Sequence, residues 1–276
     1  MISRATWRLI LALLLLLPVP ALAQPAGGTP IAIGQTYKLP SKVMGAERAL
    51  NIWLPPGYAT SGKNYPVLYL LDGGLEQDFQ HIAGLAQLGT VVDTIQPMIV
   101  VGIETVDRRN ELAFPTSNAK DRATWPTAGH SERFRRYLSS EVLPWVETNF
   151  RTTGDTVLMG ESLAGLFVVD TLLKQPDLFR RYIAISPSLW WDDMSLVKAV
   201  GPVIAYVPGE RWLWLALADE GAAMGVDPLV AALKSSAPAG LHWSFTPMPA
   251  ETHATIYHPA ALAALRALFG PPSESK

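Results

Sequence analysis

Thr156-Val157-Leu158-Met159-Gly160-Glu161-Ser162-Leu163-Ala164-Gly165 decides how this chain folds. A short apolar run, Thr156 to Met159, ends in Gly160-Glu161-Ser162, and the stretch from Leu163 to Leu173 that follows is apolar on nearly every side. The first part predicts a buried strand, the last a helix buried within the domain, and the small residues between them a tight strand-to-helix turn. A serine on such a turn presents its hydroxyl at the carboxyl edge of a sheet. The helix N-terminus behind it places partial positive charge where an oxyanion would form.

Outward from that stretch, strand and helix alternate. Pro66 to Leu71 and Met98 to Ile103 are continuous apolar runs, the pattern of strands covered on both faces of a parallel sheet, with helix-like spacing from Phe79 to Leu88 between them. Arg48 to Leu54 reads as an early strand stopped by Pro55-Pro56-Gly57. Glu132 to Phe150 reads as one surface helix bent near Pro144. Further strands are expected at Tyr182–Ile185, Trp212–Ala218 and Trp243–Pro247, and helices near Pro228–Ser235 and Pro259–Phe269. With no repeat and no interdomain linker, the pattern predicts one doubly wound α/β domain.

Composition narrows the chemistry. The 276 residues carry a net charge of −2 and no cysteine, so there is no electrostatic footprint for nucleic acid and no thiolate nucleophile or Cys-ligated metal. Covalent catalysis must use oxygen or nitrogen.

The N-terminus reads as a targeting segment. Arg4 and Arg8 precede the apolar run Leu9 to Leu17, and Ala21-Leu22-Ala23 forms a small-x-small cleavage pattern, which predicts a signal peptide over residues 1–23 and a periplasmic or secreted product. The apolar run is too short to span a bilayer, and a lipoprotein anchor needs a cysteine, so no stable membrane anchor is expected. Residues 24–35 read as a flexible lead-in, 36–270 as the catalytic domain and 271–276 as a tail.

A nucleophilic serine needs a base and an acid. Of the five histidines, His253 lies in the polar loop Ala250 to Thr255, after the last expected strand and before the last helix, which suits the order serine, acid, histidine. His81, His130, His242 and His258 read as surface or packing residues. The acid should follow the strand Trp212 to Ala218: Glu220 is the first choice, Asp227 the alternative and Asp219 the third. Asp227 also reads as a helix N-cap before Pro228. For the oxyanion, the amide of Leu163 supplies one donor, and Asp72-Gly73-Gly74 after an early strand offers Gly74 as the second.

These residues resemble the esterase family of the α/β-hydrolase superfamily that includes S-formylglutathione hydrolase, the mycolyltransferases and the trilactone-siderophore (enterobactin and salmochelin) esterases. The resemblance runs from about Arg48 to Phe269. It rests on Trp53-Leu54-Pro55-Pro56-Gly57-Tyr58, on Tyr65 to Gly73, on Ile99 to Ile103 with Arg108 following, on Gly160 to Phe167, on Ser186-Pro187-Ser188-Leu189-Trp190-Trp191 and on Glu251-Thr252-His253. It is closest to the siderophore-esterase branch. It implies an α/β-hydrolase fold, a three-layer sandwich with a mostly parallel central sheet. It also implies Ser162 as nucleophile, His253 as base, and backbone amides near Gly74 and Leu163 as oxyanion donors.

Two positions depart from that branch, Glu161 where histidine is usual and Ala164 where glycine is usual. Alanine still fits the turn, whereas a carboxylate beside the nucleophile opposes an anionic ferric catecholate. The expected activity is hydrolysis of a small-molecule carboxylic ester through an acyl-enzyme, siderophore trilactones being the class the resemblance adds, with no metal and no organic cofactor. An acyltransferase using the same acyl-enzyme and a non-catalytic binding protein on a hydrolase scaffold are the alternatives. Trp190 and Trp191, with Trp125 and Phe114, are expected to line an apolar pocket. Arg108, Arg109 and Arg122 read as solvated charge within reach of an anionic substrate. No oligomeric state is assigned.

Overall fold

Two of the continuous apolar runs lie side by side within the sheet. In the computed structural model, which describes residues 28–271, β3 (Tyr65–Leu71) is buried at every position, with Val67, Tyr69 and Leu71 facing one layer and Leu68 and Leu70 the other. β4 (Ile99–Ile103) is buried throughout as well. Covering a sheet on both faces removes any need for polar alternation, which is why these strands read as unbroken hydrophobic runs.

Eight strands form one sheet in the order β1-β2-β4-β3-β5-β6-β7-β8. The others are β1 (Gln35–Ser41), β2 (Ala46–Trp53), β5 (Thr152–Glu161), β6 (Arg181–Ile185), β7 (Arg211–Leu217) and β8 (Leu241–Pro247). The pairs β1–β2 and β2–β4 are antiparallel and the remaining five are parallel. One face carries α1 (Phe79–Val91) and the C-terminal helix Tyr257–Phe269; the other carries α2 (Ser131–Tyr137), α3 (Leu143–Asn149) and α4 (Leu163–Lys174). This is the three-layer, mostly parallel arrangement that the resemblance implies. The chain divides into a unit Met1–Ala32, whose described residues 28–32 carry no regular structure, and a unit Ile33–Lys276 that holds every described element. The expected signal peptide over residues 1–23, most of the 24–35 lead-in and all but the first residue of the tail lie outside the described residues. Among those described, no helix is long and apolar enough to cross a membrane.

Two expectations need correction, and one strand is additional. The single helix over Glu132–Phe150 is α2 and α3 joined by a π-helical turn, Leu138–Val142, in which the Leu143 N–H bonds to Leu138 O. Pro144 has no N–H to give to the preceding turn, and the wider turn absorbs that missing bond. The helix α5 (Val226–Ser236) has Gly225 at its N-cap, with φ 73°, so Asp227 is the second helical residue and caps nothing. β1 was not expected at all. It is a polar edge strand with Pro40 inside it; its half-buried Tyr37 packs on distant Trp145 and Phe150, and Leu39 packs on the same core.

Helix α4 is buried from Leu163 through Leu173. Its one buried acid, Asp170, is paired with Arg135 and, at 2.7 Å, with Lys174, which is what allows a carboxylate to lie there. A Cβ on Gly160 would come within 2.6 Å of the Ala164 Cβ, so glycine is required where β5 turns against this helix.

Candidate active site

Ser162 sits between β5 and α4 with φ 58° and ψ −117°, a backbone conformation that serine adopts only under constraint. Three bonds supply the constraint: Ser162 N–H donates to Ile185 O, and the N–H groups of Leu166 and Ser188 both donate to Ser162 O, each at 2.9 Å. The strain is therefore held by β6 and by the first turn of α4. The hydroxyl projects at the sheet edge, where Ser162 Oγ lies 3.2 Å from Ser188 Oγ.

Strand β7 ends at Leu217, and the turn after it carries Asp219 and Glu220. His253 Nδ1 donates to Glu220 Oε1 at 2.5 Å, and Glu220 Oε2 accepts from Ser186 Oγ at 3.2 Å. The two loops are stitched together by Asp219 N–H to Glu251 O at 3.0 Å. Of the three acids weighed from the sequence, Glu220 is the one that reaches the histidine. The Asp219 and Asp227 side chains are exposed to solvent. His253 and the carboxyl of Glu161, the residue before Ser162 on the strand-to-helix elbow, are close enough to interact through their charges.

Leu163, the first residue of α4, has no intrahelical acceptor for its N–H, which points out of the helix N-terminus. The glycines of the opposite loop are engaged instead. Gly74 N–H donates to Gln77 Oε1 and Gly73 N–H to Ile103 O, both at 2.9 Å. The Gly74 amide is thus not free in this conformation to serve as the second oxyanion donor. Sequence alone could not show this, because it depends on a side chain three residues on folding back over the turn.

Arg108, read from the sequence as solvated charge, is a strut of the site. Its Nε donates to Asp72 Oδ2 at 2.8 Å and its Nη2 to Glu161 O at 3.2 Å, tying the Asp72–Gly74 loop to the elbow. Arg109 lies 5.1 Å over the Trp125 ring. Arg122 donates to the carbonyls of Thr116 and Ser117.

The expected pocket tryptophans separate. Trp191 is buried, and its Nε1 donates to Phe114 O at 2.9 Å, the position of a packing residue. Phe114 is buried under Lys174, whose Nζ lies 4.8 Å over the ring, at the end of α4 away from Ser162. Trp190 and Trp125 are only half-buried and pair at 5.9 Å, which leaves them as the aromatic surface at this end of the Ser188–Trp191 segment.

Electrostatically the centre is unusual on the elbow side. Burial pushes the Glu161 carboxyl up to about 7; His253 and Arg108 pull it down, while Asp78 and Asp72 push it further up. Asp78 is raised to about 6, by burial first and then by Asp72. The Glu161 Oε1 atom is buried without a hydrogen-bond partner, as is the hydroxyl of Tyr257 on the neighbouring helix. Among the described residues no group of three or more His, Asp or Glu side chains is placed to hold a metal ion.

A serine held at positive φ between a central parallel strand and a buried helix, with a histidine and its acid delivered by later loops, is the defining arrangement of the α/β-hydrolases, and this chain has that fold. Within that class it belongs to the family described as Putative esterase, whose model matches residues 41–219. The match stops one residue before Glu220 and well before His253, so acid and base rest on geometry.

Among relatives, the ferri-bacillibactin esterase BesA of Bacillus subtilis is 34% identical over 151 residues, 49% of this chain and 51% of its own. The siderophore enterobactin esterase of Emericella nidulans is 30% identical over 163 residues, 52% of this chain and 53% of its own. The chain spans about half the length of these curated relatives. Among solved structures, an IroE-like serine hydrolase from Shewanella oneidensis superimposes with a TM-score of 0.76 at 31% identity, covering 86% of this chain and 80% of the other. The BES protein from Bacillus cereus gives a TM-score of 0.78 at 22% identity, covering 90% of this chain and all of its own, a likeness of fold alone.

Proposed function

We propose that this protein is an exported serine esterase that cleaves siderophore-type carboxylic esters through an acyl-enzyme on Ser162. The observation that carries the reading is the 2.5 Å bond from His253 Nδ1 to Glu220 Oε1, in a chain whose Ser186-Pro187-Ser188 turn touches both Glu220 and the strained Ser162. With Nδ1–H committed to Glu220, Nε2 is left as the base. The reading requires Ser162 Oγ to exchange Ser188 Oγ, 3.2 Å away, for His253 as its partner. His253 then takes the hydroxyl proton as Oγ attacks the ester carbonyl, and the Leu163 N–H at the start of α4 receives the developing oxyanion. Collapse breaks the bond to the alcohol, which leaves with the proton from His253. Water, deprotonated in turn by His253, attacks the acyl-enzyme and releases the acid.

The siderophore class is supported by the names of relatives on both sides of the comparison. Glu161 is compatible with it, because a carboxyl pushed up to about 7 is largely uncharged below that pH, while Arg108 and Arg109 add positive charge nearby. Export is supported by the pattern of residues 1–23.

The test is labelling with a fluorophosphonate, followed by hydrolysis assays on p-nitrophenyl esters and on a catecholate trilactone. The expected result is stoichiometric labelling and turnover by the native protein and neither by Ser162→Ala. Undiminished hydrolysis by Ser162→Ala would overturn the assignment of the nucleophile. Turnover of simple esters with no cleavage of the trilactone would remove the siderophore class and leave the esterase.

A further inference from the structure

Ser186-Pro187-Ser188 follows β6, and the acyl-transfer steps above leave both serines without a task. Neither is a surface residue, with relative exposures of 0% and 3%. Ser186 has φ 36°, a left-handed conformation that is strained for serine, in a chain where glycine serves most turns of that kind. Its backbone N–H donates to Ala216 O at 2.9 Å, which anchors it to β7. Its side chain points at the loop that β7 delivers. Ser186 Oγ donates to Glu220 Oε2 at 3.2 Å and accepts from Ala218 N–H at 3.3 Å. Two residues on, Ser188 N–H donates to Ser162 O at 2.9 Å and Ser188 Oγ lies 3.2 Å from Ser162 Oγ. Pro187, whose Cα lies 3.0 Å from where a Cβ on Gly165 would stand, seats this turn directly on α4.

We propose that Ser186 is a positioning residue, which clamps the second oxygen of Glu220 so that the first is held on His253 Nδ1, with the Ser186-Pro187-Ser188 turn fixing the acid and the nucleophile to one rigid segment. The inference rests on the triad reading above. The physical need is clear from the side chain. Rotation about the terminal bond of glutamate is soft, and a carboxylate held by one oxygen samples many orientations. Glu220 lies in a turn beyond the end of β7, with a half-exposed histidine as its other partner. A hydroxyl both donates and accepts, so Ser186 can bind the carboxylate while its own orientation is set by the Ala218 amide. The strain at φ 36° is held in place by the same sheet-edge bonds that aim the hydroxyl. A regular extended residue would turn its side chain elsewhere.

The experiment compares Ser186→Ala, Ser186→Gly and Glu220→Gln, singly and combined, on a p-nitrophenyl ester, with folding followed by circular dichroism. Glycine relaxes the left-handed backbone, so Ser186→Gly keeps the test alive if Ser186→Ala folds poorly. Both Ser186 variants are expected to lose about ten- to a hundredfold in kcat, the range of a hydrogen bond to a charged group, with KM changed by less than about twofold. In the Glu220→Gln background the same substitutions are expected to add less than about twofold, because their effect passes through Glu220.

The proposal is overturned by kcat within twofold of wild type in folded Ser186→Gly. It is overturned equally by a loss of the same size whether or not Glu220 is intact, or by a loss expressed in KM alone. If Ser162→Ala retains hydrolysis, the triad reading fails. If Ser162→Ala is inactive while Ser186→Gly is fully active, only the positioning role fails.

Discussion

Two glutamates stand at the candidate catalytic centre, and the protein treats them in opposite ways. Glu220, in the turn after β7, has one oxygen on His253 and the other on Ser186. Glu161, at the end of β5, has its Oε1 buried without a partner and its carboxyl pushed up to about 7 by burial. The same side chain is in one place a fully engaged acceptor and in the other an acid that releases its proton only near neutrality. What separates them is the supply of donors. The turn after β6 presents a hydroxyl to Glu220, whereas the loop after β3 presents Asp72 and Asp78 to Glu161, which repel a second charge, and the Arg108 nearby has its identified bonds to Asp72 and to the Glu161 backbone. A buried carboxylate acts as an orienting group only where its lone pairs are met.

The strongest way to break this contrast is Glu220→Gln. The amide keeps the shape but removes the charge that stabilises the imidazolium, and it can present N–H where Nδ1–H needs an acceptor. A loss of about 10³- to 10⁴-fold in kcat is expected, as for the loss of a triad acid generally. Steady-state kinetics on a p-nitrophenyl ester checks it, and a loss below tenfold would put the orienting acid elsewhere.

How far this centre was legible in advance follows from the distance between its parts along the chain. The elbow is local: strand, serine and helix lie within the stretch Thr156 to Leu173, so period and small residues were enough. His253 and Glu220 could be placed by the order of elements, because each follows a strand end. Gly74 could not, since a free glycine amide and one already bonded to Gln77 look alike in sequence. Trp191 failed for a related reason. Its Nε1 partner is the Phe114 carbonyl, 77 residues away, and nothing in Trp190-Trp191 distinguishes the buried ring from the half-buried one. Arg108 was underread because a charge held by Asp72 and by a backbone carbonyl carries the same letter as a solvated one. The strand β1 was missed because only its tertiary partners, Trp145 and Phe150 among them, make its alternation apolar.

The second prediction concerns the other glutamate and reads out in stability. A carboxyl raised from the usual 4.5 to about 7 keeps its proton in the native state over a range where the unfolded chain has released it. Between those values the native state binds more protons, so stability falls as pH rises, and above about 7 the full cost of a buried, unpartnered charge is present. Asp78, raised from 3.8 to about 6, adds to the same trend over a lower range. Glu161→Gln is expected to flatten the decline and to raise Tm at pH 8 relative to wild type, with no gain at pH 4.5. Thermal melts across that range check it, and identical slopes in the two proteins would show that Glu161 is not the group responsible.

The smallest effect is expected at the acid that geometry sets aside. Asp227 stands second in α5, exposed, behind Gly225 at the N-cap. An N-cap aspartate would lose about 1 kcal/mol on removal of its acceptor, but no side-chain cap bond is present here, and Asn retains most of the polar contact with solvent. What Asp227→Asn does remove is a negative charge in the first turn, where the helix dipole favours it by about 0.3–1 kcal/mol at low ionic strength. In a domain of this size that corresponds to a Tm lower by about 1–4 °C. The shift should shrink with added salt, since exposed charges are screened. The kcat/KM of Asp227→Asn should stay within about twofold of wild type, because its carboxylate meets neither His253 nor Ser162. A fall in kcat of orders of magnitude in Asp227→Asn, with Glu220→Gln nearly intact, would reverse the two acids and with them the contrast between satisfied and unsatisfied carboxylates at this centre.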